Sequence, residues 1–167
     1  MNSVLYRRLT VVVTLGFLVT AAAWAGDAKV SHHYADNVGL KIHFSMAWER
    51  GPLVVMIHGF PDFWYSWNEQ LKALQSTHRV VAMDLRGYNR SDKPKGLEQY
   101  AMPRLVSDVA AVIRDAGEKK AVIVGHDWGG MVAWRFAMAK PEMTDRLIVL
   151  NLPHPKGLSR ELANNPD

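Results

Sequence analysis

The sequence predicts an α/β protein: a mostly parallel sheet with helices on both faces. Three observations predict it. Short apolar runs of strand length, Leu53–Ile57, Arg79–Met83 and Ala121–Val124, alternate with segments of helical periodicity. Two of these runs end in glycine-bearing loops, His58-Gly59-Phe60-Pro61 and Gly125-His126-Asp127-Trp128-Gly129-Gly130. Of the 167 residues, 49% are hydrophobic, enough to build the core of one domain.

Taken in order, Ser31–Tyr34 and Leu40–Trp48 read as a hairpin, which gives the sheet an antiparallel start. Leu53–Ile57 is the next strand. A helix over Phe63–Gln75 follows, with Trp64, Trp67, Leu71 and Leu74 on one face. Core packing accounts for that stripe, although Trp64 and Trp67 are also placed to edge a substrate pocket. Arg79–Met83 is a strand, and Met102–Ala116 is an amphipathic helix that ends near Gly117. Ala121–Val124 leads into the second loop, and a helical pattern runs from Met131 to Lys140. Arg146–Asn151 is the last strand, and the polar end Leu162-Ala163-Asn164-Asn165-Pro166-Asp167 is expected to fray. In sheets of this class ligands sit beyond the C-terminal strand ends, where both glycine loops fall.

The first residues carry a separate signal. Arg7 and Arg8 precede an apolar stretch from Leu9 to Ala23, and Ala23-Trp24-Ala25 fits a small-x-small cleavage site. Residues 1–25 therefore read as a secretory signal peptide, which predicts a secreted or periplasmic protein with no stable membrane anchor after cleavage. A retained N-terminal anchor is the alternative, disfavoured because the apolar core falls short of the roughly 20 residues a span requires. Removing the segment takes away two arginines and no acid, so the formal net charge falls from +4 to +2. No basic cluster points to nucleic acid. There is no cysteine and no His-Glu-x-x-His pattern, so neither a disulfide framework nor a zinc motif is indicated.

The chemistry concentrates in the two loops. In Gly125-x-Asp127-x-Gly129-Gly130 an acidic side chain stands at the apex of a strand-to-helix turn. A residue at such an apex takes a strained backbone conformation, which requires small neighbours two before and two after. Gly125 and Gly129 meet that need, and Gly130 lets the helix pack close to the sheet. The helix that follows aims free N–H groups and its positive dipole end at the site, stabilising a carboxylate. A carboxylate there suits attack on a saturated carbon, giving an ester that water must then hydrolyse. The bland reading is a glycine-rich turn with an acidic N-cap. In the first loop Gly59 permits close approach, and Pro61 fixes a rigid turn compatible with a cis bond. That loop presents the N–H of Phe60 towards the point served by the N–H of Trp128, and two converging donors make an oxyanion hole.

These segments, with Asp84-Leu85-Arg86-Gly87-Tyr88, Ser91-Asp92-Lys93-Pro94 and Asn151-Leu152-Pro153-His154-Pro155, carry a resemblance to the α/β-hydrolase superfamily, epoxide hydrolase group. The resemblance runs from about Val30 to the end, in family order, and assigns residues 26–167 to the N-terminal portion of the core domain. It implies that Asp127 is the nucleophile and that Phe60 and Trp128 are backbone oxyanion donors. His58, Gly59, Pro61, Gly125, His126, Gly129 and Gly130 take supporting positions. The implied reaction opens an epoxide, a small and apolar one, to a vicinal diol, with no cofactor and no metal. Haloalkane dehalogenases resemble the chain in the Asp-Trp pair but usually carry a polar residue at the Phe60 position. Fluoroacetate dehalogenases share the Phe but typically have Arg at the Trp128 position. A dehalogenase-type hydrolase is thus the alternative, as is a truncated, non-catalytic relative.

Two departures from the family pattern stand out. The family usually has Gly where this chain has Asn89, and Asn tolerates the left-handed conformation the turn needs. Asp84 and Arg86 beside it read as a pair bracing the turn. The larger departure is that the family's water-activating His, the acid that orients it and two cap tyrosines lie in sequence beyond Asp167, in a chain about twice this long. Of the histidines present, His58 and His126 lie in the motif loops, His154 in the connection to the cap, His32, His33 and His43 in the first hairpin, and His78 before a strand. None is positioned to serve as a substitute base. The family sheet also continues past Leu147–Leu150, so that apolar strand is expected to be an exposed edge and the chain alone to be marginally stable or to need a partner. The sequence leaves the oligomeric state open.

Overall fold

The computed structural model describes residues 30–48 and 50–164. The expected signal peptide and the last three residues lie outside them. Strands β1 (Ser31–Asn37) and β2 (Leu40–Ala47) form the expected hairpin and pair antiparallel. Strands β3 (Leu53–Ile57), β4 (Arg79–Met83), β5 (Ala121–His126) and β6 (Thr144–Leu150) run parallel to one another. The sheet order is β1-β2-β4-β3-β5-β6, with β2 joined to β4 antiparallel. Crossing from β3 to β4 and back to β5 puts the C-terminal ends of β3 and β5 side by side, and both glycine loops leave from there.

Both faces of the sheet are buried, which is why β3 is apolar at every position rather than alternating. One face carries Ile42, Phe44, Val55, Ile57, Val81, Met83 and Ile123 against α2 (Met102–Asp115) and α3 (Trp128–Ala139). The other carries Val54, Met56, Val80, Ala82, Val122 and Val124 against Trp67 and Leu71, with Trp64 and Leu74 packed at its margin. The aromatic stripe is therefore core, and α1 (Asn68–Leu74) covers this second face.

Strand ends shift from the sequence reading, β1 running on to Asn37, β2 ending at Ala47, β5 running on to His126 and β6 spanning Thr144–Leu150. Three differences in the helices each have a local reason. Residues Trp64–Trp67 form a 3-10 turn ahead of α1 rather than its first turn. Phe63 is extended (φ −153°, ψ −177°), and the Trp64 N–H is taken by Asp84 Oδ1 at 2.8 Å. Helix α3 begins at Trp128, not Met131, because the Asp127 carbonyl accepts the Gly130 and Met131 N–H groups at 2.8 and 3.3 Å. The two glycines, poor helix formers, conceal that turn in the sequence. Last, Pro155–Asn164 is a helix, α4, so Leu162–Asn164 close a helix rather than fraying. Among the described residues no helix is long and apolar enough to cross a membrane.

Candidate active site

Asp127 sits between β5 and α3 with φ 54° and ψ −125°, a region L-residues avoid and hold only where surrounding structure imposes it. The glycines around it are what impose it. A Cβ on Gly125 would collide with the carbonyl oxygen of Gly129, and one on Gly129 with the carbonyl oxygens of Ile57 and His58. The turn is therefore wedged against the end of β3. A Cβ on Gly59 would lie 2.6 Å from Asp127 Cβ and 2.7 Å from its Oδ1, so glycine there lets the first loop close onto the carboxylate. From β6, the Leu150 carbonyl accepts the Asp127 N–H at 3.2 Å.

The carboxylate is held by two backbone donors. Phe60 N–H donates to Asp127 Oδ1 at 3.1 Å, and the Phe60–Pro61 bond is cis. The backbone N–H of Trp128, and after it that of Phe60, holds the Asp127 carboxyl below its ordinary range. Hydrogen bonds to the charged form are the cause, with the N-terminus of α3 adding to them. Asp127 is half-buried. The Phe60 and Trp128 side chains beside it are 66% and 61% exposed, so the two aromatic rings stand open around an ionised oxygen.

His58 lies behind this front. It is fully buried, its Nδ1 donates to the Gly59 carbonyl at 2.8 Å, and its Nε2 accepts the Leu85 N–H at 3.1 Å. That pattern fixes a neutral tautomer and ties the loop after β3 to the one after β4. Burial pushes its imidazole below its ordinary value, in the same sense. His126 is exposed, with Nε2 3.4 Å from Asn151 Nδ2. His154 lies edge-on to Trp134 with ring centroids 4.7 Å apart, and His78 stands at the start of β4, at the opposite end of the sheet. Among the described residues no histidine makes a hydrogen bond to the Asp127 carboxylate.

The turn after β4 departs from expectation in its partners. Asp84 and Arg86 do not pair with each other. Asp84 Oδ2 accepts His43 Nδ1–H at 2.6 Å, Asn89 Nδ2–H at 2.9 Å and the Arg90 N–H at 3.3 Å. Burial alone would raise the Asp84 carboxyl, but its bonds from His43 and Trp64 outweigh it and hold the group below its ordinary range. Arg86 instead grips Asp108 of α2 with two bonds, of 2.6 and 2.7 Å, and Asn37 of β1 completes the cluster at 2.7 Å. Asp84 reaches β2 and the Trp64 segment whereas Arg86 reaches α2, so the two side chains lie in different layers. Asn89 has φ 39°, the left-handed conformation its position demands.

Comparisons with known proteins give the family. The profile of the family described as "alpha/beta hydrolase fold" matches residues 52–166. The chain belongs to that family. It is 47% identical to mouse Epoxide hydrolase 4 over 129 residues, which cover 77% of this chain and 36% of that protein. Epoxide hydrolase 3 of Xenopus tropicalis is 43% identical over 148 residues, covering 87% and 40%. Among solved structures, an epoxide hydrolase from Bacillus megaterium superimposes with a TM-score of 0.75 at 41% identity, covering 80% of this chain and 46% of that one. An epoxide hydrolase from an endophytic Streptomyces gives 0.73 at 38% identity, covering 78% and 42%. This α/β hydrolase thus spans less than half the length of the relatives it matches.

Proposed function

We propose that this α/β hydrolase carries the nucleophilic half of an epoxide hydrolase, with Asp127 attacking an epoxide carbon. The observation that carries the reading is the grip of two backbone donors on the carboxylate: the Phe60 N–H bonds Oδ1, and the Trp128 N–H bonds the same carboxyl group. We assign the attack on the substrate to Oδ2. In the first step Oδ2 forms a bond to a ring carbon, the carbon–oxygen bond of the ring breaks, and the released oxygen takes a proton from an acid. The product is an alkyl ester on Asp127. In the second step water adds to Asp127 Cγ, and negative charge develops on Oδ1, which the Phe60 N–H already bonds; we assign the Trp128 N–H as the second donor to it. Collapse frees the diol and restores the carboxylate.

The open apolar rings of Phe60 and Trp128 favour an apolar epoxide over an alkyl halide, since the Phe60 side chain offers no donor to a departing halide. The name epoxide hydrolase on the relatives from mouse, frog and Bacillus supports the same choice. We assign the water-activating base and the acid for the ring oxygen to sequence those relatives have beyond the matched stretch. We also infer export by way of residues 1–25, which a fusion to a reporter active only outside the cytoplasm would test.

Incubation with a reactive aryl or alkyl epoxide, followed by intact-mass and peptide mass spectrometry, tests the nucleophile. The expected result is one stable adduct, equal to the mass of the epoxide, on the peptide containing Asp127. The Asp127→Ala variant should lose it. Adduct formation that persists in that variant would overturn the assignment, and diol in excess over protein would show that the base is present in this chain after all.

A further inference from the structure

A second titratable cluster lies on the α1 side of the sheet. Strands β1 and β2 bring His32 beside His43: antiparallel pairing sets His32 opposite Ser45 and Tyr34 opposite His43, on one face. His32 Nδ1 lies 3.0 Å from His43 Nε2, and His43 Nδ1 lies 2.6 Å from Asp84 Oδ2. The two rings stack with centroids 5.1 Å apart. His43 and Asp84 are fully buried, whereas His32 is exposed. A line of three polar groups thus runs from solvent to a buried carboxylate. The far oxygen of that carboxylate, Oδ1, accepts the Trp64 N–H, and the Trp64 ring meets His32 edge-on at 5.3 Å.

The hydrogen count along this line is constrained. His43 Nδ1 must carry a proton to bond the carboxylate. Between His43 Nε2 and His32 Nδ1 there is room for one proton only, because two N–H groups cannot face each other at that distance. His32 Nε2 takes a further proton from solvent without breaking any bond, leaving one positive charge on the pair against Asp84. The next proton must land between the rings, and it breaks the contact. The pair therefore binds protons as a unit rather than as two independent imidazoles.

We propose that His32 and His43 form a proton-sharing latch that holds β1 against the Trp64 segment and releases it on acidification. The other charged or titratable groups facing the pair are Arg90 from the turn after β4, and His33 and Tyr34 on β1. Burial first, then Arg90 and His43, holds the His32 imidazole below its ordinary value of 6.5, while Asp84 opposes them. The sign follows: because the closed arrangement resists protonating His32, it is favoured above that value and loses stability progressively as pH falls below it, the contact itself breaking at the second proton. The segment released is the one that continues from the Phe60–Pro61 loop, so the latch sits on the flank of the site and outside its reacting atoms. Neither its geometry nor its test depends on the reaction assigned to Asp127.

Histidine side-chain nitrogen NMR across pH 4–8, with tryptophan emission followed in parallel, tests the proposal. The wild type should show two protonation steps for the pair separated by at least roughly one pH unit, as interacting sites do. The Trp64 emission change should fall on the lower step. His32→Ala should reduce His43 to a single step and abolish the acid emission change. Trp64→Phe should remove the emission change while keeping both nitrogen steps. Independent, single-step titration of the two histidines in the wild type, or a His43 titration unaltered by His32→Ala, would overturn it.

Discussion

At the scale of single residues, the chemistry proposed for Asp127 rests on its staying ionised where ordinary carboxyls begin to take protons. Two backbone N–H groups hold its carboxyl low. The sign is that of an acid stabilised in its charged form, so ionisation persists as pH falls through the usual carboxylate range. Carbon-13 labelling of aspartate carboxyls should place the Asp127 midpoint below the ordinary aspartate value, and Phe60→Pro, which deletes one donor, should raise it. An Asp127 midpoint at or above that value would remove the basis for its proposed role. Residues of this kind were legible because glycine, proline and an apex acid leave few conformations open. The buried polar pairs were not. Asp108 reads as a surface charge on an amphipathic helix, and its partners Arg86 and Asn37 lie 22 and 71 positions away. The His43–Asp84 pair spans 41 positions, and nothing local announces such a match.

At the scale of elements, the start of α3 sets how closely the apex approaches the sheet, and its two glycines do different work. A Cβ on Gly130 would meet Val149 Cγ1 at 3.0 Å, which a χ1 adjustment can move, and Leu152 Cβ at 3.2 Å, which yields only with the loop after β6. Replacing glycine by alanine inside a helix also gains about 1 kcal/mol of propensity, which offsets much of that crowding. At Gly129 the obstacles are backbone carbonyls of β3 and its loop, which cannot rotate away. Gly129→Ala should therefore cost about 1–3 kcal/mol or more, as overpacking does, while Gly130→Ala stays within about 1 kcal/mol of the wild type. Denaturant midpoints of the two variants check the order, and equal losses would mean that the crowding at the β3 end is relieved by movement of the helix. The buried strands β3 and β4 were read to the residue, unlike the helix starts, for a related reason. An apolar run declares a buried strand outright, whereas the first turns before α1 and of α3 are decided by Asp84 and by the Asp127 carbonyl, neither of which periodicity reports.

At the scale of the whole molecule, the described sheet is unequal at its two edges. At one, β1 interleaves histidines, an aspartate and an asparagine among its residues, and the Asn37 side chain is tied into the Asp108 cluster. Polar residues of this kind blunt an edge strand. At the other, β6 pairs with β5 on one side only. Its Leu147 and Val149 pack against the core, but Ile148 and Leu150 on the opposite face are 47% and 44% exposed, and no helix described here covers them. An apolar strand with free backbone groups along one edge and two large aliphatics on one face is a template for further pairing. The chain should accordingly self-associate at micromolar concentrations, with β6 as the contact. Ile148→Lys places a charge on the open face without touching Leu147, Val149 or the residues around Asp127, so it should shift the population towards monomer while leaving the Asp127 adduct chemistry intact. Sedimentation velocity of the wild type and the variant decides it. A wild type that is monomeric throughout, with a sharp reversible melt, would show that this edge is protected by something other than pairing. Association unchanged by the lysine would move the contact elsewhere on the surface.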